Sequence, residues 1–118
     1  MAKFFESPVV SDALAEIVML QEQILIFATY ADYATIEDQW ENLHTLRALS
    51  EKQKNMCFRC MLSDDDDAKS MLVDVLSHFE EFGHNVDIDN PMLLFEEVSK
   101  NLDDLEESLR YGEEQGYL

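Results

Sequence analysis

Two Glu-x-x-His pairs, Glu41 with His44 and Glu81 with His84, are the side chains best equipped for metal chemistry in this sequence. A three-residue step places both groups on one face of a helix. Carboxylate-rich di-metal bundles hold their ions with two such pairs and two further glutamates. The neighbouring residues argue against that use here. Glu41 and His44 fall on the flank of the face that carries Trp40 and Leu43, and Gly83 interrupts the second pair where a helix should end. With 26 acids in 118 residues, such spacings also arise from composition alone. Glu41, His44, Glu81 and His84 are retained as candidate ligands, while no metal or other cofactor is expected.

Cys57-Phe58-Arg59-Cys60 has redox-pair spacing. A reactive thiolate gains from a helix N-terminus, where the dipole lowers its pKa, but this pair falls late in a helical stretch. A tetrahedral zinc site would need two more ligands, and no second cysteine pair exists. The two cysteines therefore read as small packed residues between Met56 and Met61. Asn85, Asp87, Asp89 and Glu96 have calcium-loop spacing, yet Asn90 stands where the sharp turn needs glycine, and Pro91 follows it. Asn90-Pro91 is better read as a helix start. Asp64 to Asp67 have the charge to hold a divalent ion or a basic peptide, but acids there also complement the positive end of a helix dipole. No Ser-His-Asp order, phosphate loop or apolar pair of catalytic carboxylates is visible. The expected protein is not an enzyme.

The elements carrying these residues are all helical. Three glycines and two prolines punctuate the chain, and none falls between Val9 and Phe82. Strand-like alternation is absent. Ser7-Pro8 predicts a first helix over 8–33, with Val10, Leu14, Ile17 and Ile24 on one face. Val18 and Leu25 widen that face, so the helix should touch two neighbours. Thr35 with Asp38 predicts a cap for a second helix over 36–62. Ser63, followed by three aspartates, predicts a third over 64–82, ended by Gly83. Asn90-Pro91 opens a fourth over 91–111, closed by Gly112, with Glu113 to Leu118 as a frayed tail. The fold class is all-α: one domain, a bundle of about four helices, possible to complete by dimerisation. A chain of 118 residues buries about 65% of its unfolded surface, enough for one core.

The net charge is −18, from 26 acids and 8 lysines and arginines. Residues 35–62 are neutral overall, whereas 63–86 carry −6 and 87–118 carry −8. Such a surface repels nucleic-acid phosphate and anionic lipid, so neither is expected as a direct partner. No apolar run has the length of a signal peptide or a membrane span. Cytoplasm is the expected compartment, or host cytoplasm for a phage-encoded protein.

Several stretches resemble a small conserved-domain family, without an assigned activity, from cyanobacteria and the phages that infect them. They are Met1-Ala2-Lys3-Phe4-Phe5-Glu6-Ser7 with Val10, and Phe58-Arg59-Cys60-Met61-Leu62-Ser63-Asp64-Asp65 leading to Ala68-Lys69-Ser70-Met71. Phe82-Gly83 followed by Pro91-Met92-Leu93-Leu94-Phe95 resembles that family's junction between third and fourth helices. The resemblance covers nearly the whole chain and implies a helical fold. Asp66-Asp67 and Asp87-Ile88-Asp89-Asn90 depart from the cyanobacterial pattern, as a divergent, phage-borne member would.

The functional expectation is a non-catalytic auxiliary factor that binds another protein through helix faces. An acidic DNA mimic that blocks a DNA-binding protein is the alternative, ahead of a metal-dependent enzyme or a virion component. Phe4, Phe5 and Tyr117-Leu118 are candidate apolar anchors. Phe95, Val98, Leu102, Leu105 and Leu109 step at coiled-coil spacing. That seam predicts a homodimer in which Phe95, Leu102 and Leu109 meet a second copy.

Overall fold

The computed structural model describes residues 3–81, 83–84, 86–87 and 89–116. Four helices form: α1 Pro8–Tyr30, α2 Ile36–Leu62, α3 Asp66–Glu81 and α4 Met92–Glu114. Single 3-10 turns occupy Phe4–Glu6 and Ala31–Tyr33, and there is no strand among the described residues.

Most boundaries follow from local chemistry. Pro8 takes the first position of α1, where its missing N–H leaves no bond unmade. The Ser7 carbonyl accepts from Ser11 N–H at 2.9 Å, although the Ser7 hydroxyl makes no cap bond. After Tyr30 the chain tightens into a 3-10 turn rather than continuing as α-helix to residue 33. Thr35 then caps α2 reciprocally: its Oγ1 accepts from Asp38 N–H, and Asp38 Oδ2 accepts from Thr35 N–H, both at 3.1 Å. At the end of α3, Gly83 has φ +88. Its N–H bonds the Glu80 carbonyl at 3.0 Å, and His84 N–H bonds that of Phe79 at 3.2 Å. This bond pair satisfies carbonyls that the last helical turn leaves open. The His84 ring packs edge-on against Phe79 at 5.9 Å, closing the motif.

The start of α3 corrects the sequence reading, because its cap is Asp65 and not Ser63. Ser63 belongs to the end of α2, its N–H bonded to the Cys60 carbonyl at 3.3 Å. Its hydroxyl accepts from Asp65 N–H at 3.0 Å. Asp65 Oδ1 accepts from Asp67 N–H at 2.8 Å, and its carbonyl accepts from Lys69 N–H at 3.1 Å. Its other oxygen, Oδ2, accepts from Phe4 N–H at 2.9 Å, tying the first described turn of the chain to α3. A carboxylate can serve two backbone donors at once. These bonds, the one from Phe4 foremost, hold the Asp65 carboxyl below its ordinary pKa.

A second correction concerns Gly112, which lies buried inside α4 rather than after it. The helix runs on to Glu114, and Gly116 takes the left-handed conformation at φ +75 instead. Tertiary contacts hold those last turns. Trp40 Nε1 donates to Glu113 Oε2 at 3.3 Å, and the Arg110 guanidinium lies 5.7 Å from the centre of the Trp40 ring. Together they offset the cost of an interior glycine, about 1 kcal/mol against alanine.

The packing has one centre. α1, α3 and α4 each lie against α2, while none of these three approaches another closely through its backbone. Glu16 pairs with Lys52 on helices joined by the short link 31–35, and Arg47 meets Asp103 at 2.9 Å while Trp40 meets Glu113, so both α1 and α4 run antiparallel to α2. Around the second half of α2, Met56, Cys57 and Cys60 meet Val10, Ile17, Leu72 and Phe95. Around its first half, Leu43 meets Leu102 and Leu109. Val98 touches both clusters.

At neutral pH, Asp65→Ala is expected to lower the denaturant midpoint more than Ser63→Ala does. A depressed folded-state pKa means the carboxylate contributes fully above its ordinary value of 3.8 and progressively less as pH falls below it. The difference between wild type and Asp65→Ala should therefore narrow in acid. A larger loss from Ser63→Ala would return the cap to Ser63.

Candidate docking groove

Because α1, α3 and α4 pack on α2 without their backbones approaching one another closely, a cleft stays open along the middle and second half of α2. Leu46, Leu49 and Gln53 form its floor, Leu14 and Val18 of α1 one wall, and Met71 and Val75 of α3 another. Val98 and Leu102 of α4 reach it from below. Its volume is about 1070 Å³, above the usual 300–1,000 Å³ or so of a small-molecule site. Asp74 is the single acid among its lining residues, and no lysine or arginine lines it. In a chain with 26 acids, that neutrality distinguishes the groove from the rest of the surface.

The groove continues into an exposed stripe. Along α1, Leu14, Val18, Gln21 and Leu25 step by four, three and four, which keeps them on one side of the helix. Val18 is 50% exposed and Leu25 67% exposed. That wide face predicts two neighbouring helices for α1; α2 is the one α-helix its backbone approaches, and α3 meets it through core side chains. The excess width of the apolar face was the only sign of the groove in the sequence.

The predicted metal ligands do not converge. Glu41 and His44 are both exposed near the start of α2, where His44 tilts against Trp40 at 6.5 Å. Glu81 is exposed at the end of α3, and His84 pairs with Glu97 through Nδ1 at 3.3 Å. Among the described residues, no three His, Cys, Asp or Glu side chains gather as a metal site would require. In the calcium-like loop, Asp87 Oδ1 accepts from Asp89 N–H at 2.9 Å, a local turn; Asn85 lies outside the described residues.

The predicted interaction residues separate into two groups. Phe95, Leu102 and Leu109 are buried within the chain itself, at 4%, 9% and 6% exposure. The α4 seam thus faces α2, and Phe95 also meets Phe79 edge-on at 6.2 Å. This is a correction: coiled-coil spacing called for a partner helix, and the same chain supplies it. Phe4 packs partly into the core and lies edge-on to Phe5 at 5.0 Å, while Phe5 stays exposed. Tyr117 and Leu118 lie outside the described residues.

Cys57 and Cys60 are free thiols in the core, at 4% and 1% exposure. Burial pushes the Cys57 thiol up to about 12, with Cys60 adding to the shift, and burial raises Cys60 as well. Such thiols are poor nucleophiles.

No family model, curated protein or solved structure matches the chain. No helix among the described residues is long and apolar enough to cross a membrane.

At mildly alkaline pH, a maleimide or aromatic disulfide reagent should modify the native protein at least about a hundredfold more slowly than the denatured one, since thiolate and access are both scarce. Fast labelling of native Cys57 would show an open, reactive site.

Proposed function

We propose that this chain is a non-catalytic interaction protein that accepts a helix of another polypeptide in the groove over α2. The observation that carries the proposal is the groove itself, open along α2 and lined by apolar side chains from all four helices. Large exposed apolar patches are rare on soluble monomers and mark places where another surface docks. An amphipathic helix laid into an apolar groove is a recurrent mode of recognition. The phage-borne, cytoplasmic setting belongs to the same proposal and rests on the resemblance carried by residues 58–71 and 91–95.

DNA mimicry is the second reading, favoured by the exposed Asp103, Asp104 and Glu107 of α4. It has less support. Arg47 pairs with Asp103 at 2.9 Å and Arg110 lies 3.7 Å from Glu106, interrupting the acidic face with positive charge.

A photoreactive benzophenone residue replacing Gln53 in the groove, or Glu107 on the acidic face, separates the two. Irradiation in cells is expected to yield polypeptide adducts at position 53 that also form at high salt. Adducts confined to position 107 and abolished by salt would favour mimicry, and none at 53 would sink the groove reading.

A further inference from the structure

We infer that the polypeptide filling the groove is a second copy of this chain, its α1 lying against the first copy's α1 across a twofold axis. This rests on the reading of the groove as a helix-docking site and names its occupant.

The surface area gives the first argument. The chain exposes 8081 Å² for a mass of 13.7 kDa, whereas a compact monomer of that mass exposes about 6,600 Å². Its radius of gyration is 16.4 Å, against about 13.5 Å for a compact chain of this length. The excess, of the order of 1,500 Å² per copy, belongs to an elongated shape of 57 × 27 × 19 Å, and a stable pair would need to bury about 800 Å² of each copy.

Geometry supplies the second argument. A twofold interface needs one surface complementary to itself. Here groove and stripe are adjacent: Leu14, Val18 and Gln21 form a wall of the groove, and the stripe runs on to Leu25. When the partner's α1 enters the groove, it meets this stripe with its own and rests on Leu46 and Leu49. The two α1–α2 pairs then form a four-helix core. Gln21, the polar member of the stripe, sets the register, as buried polar residues do in coiled coils.

The local charge of the groove, not the net charge of the chain, bears on the choice between a second copy and a basic partner. A basic helix would be attracted by acids along the groove, and Asp74 is the single one there. Two copies at −18 each repel, but the stripe Leu14-Val18-Gln21-Leu25 carries no charge. Its nearest carboxylate, Glu22, borders the stripe beside Val18 and Leu25, and moderate salt screens the repulsion it adds.

Light scattering coupled to size exclusion tests this on the full chain at tens of micromolar in moderate salt. Wild type is expected at twice the 13.7 kDa chain mass. Val18→Glu, at a half-exposed position, is expected at the single-chain mass with unchanged helical circular dichroism. Met19→Glu, on the opposite flank of α1, should remain a dimer, which shows that position rather than added charge matters. A wild-type monomer, or a dimer insensitive to Val18→Glu, would overturn the second copy as occupant. In either case, a position-53 photoadduct with a different polypeptide keeps the docking reading alive, and no adduct removes both.

Discussion

α2 spans 27 residues, about 40 Å of helix, and the other three helices bury their apolar faces by lying on it. Its buried positions are spread along its length: Leu43 near the start, then Met56, Cys57 and Cys60 towards the end. Leu43 at 0% exposure anchors Leu102 and Leu109 of α4, and Cys60 at 1% lies in the cluster that α1, α3 and the start of α4 share. The three neighbours lie on α2 without bringing their backbones against one another, and they meet only through side chains such as Phe79 and Phe95. The split core and the open groove both follow from that arrangement.

Charge shapes the same architecture. α2 holds as many bases as acids, while the helices around it are acidic. Lys52 meets Glu16 of α1, and Arg47 meets Asp103 and Glu106 of α4. Each exposed pair contributes little, about 0–1 kcal/mol. Their larger effect is arrangement: the basic positions of α2 face acids of α1 and α4 and help fix how each helix lies along it.

Much of the fold was legible because its signals are local. The Thr35–Asp38 box, Pro8 at the start of α1 and Gly83 after α3 each act within a few residues, and each sits where the sequence puts it. The misreadings share a cause, which is that a distant part of the chain decides them. Asp65 displaces Ser63 as cap while it also accepts from Phe4, sixty-one positions away. Gly112 fails to end α4 because Trp40, on another helix, holds the turn beyond it. Periodicity showed that α4 had a seam and α1 a wide face, but spacing does not say whose helix covers them. The groove belongs to that illegible class, since it exists only where three helices leave their backbones apart.

Residue-resolved native-state hydrogen exchange tests the central position of α2 most directly. If α2 is the common support, its amides from Leu43 to Cys60 should be the slowest in the chain and exchange only by global unfolding. Amides of α1 or α4 that outlast them, or that stay protected once α2 has opened, would contradict this account.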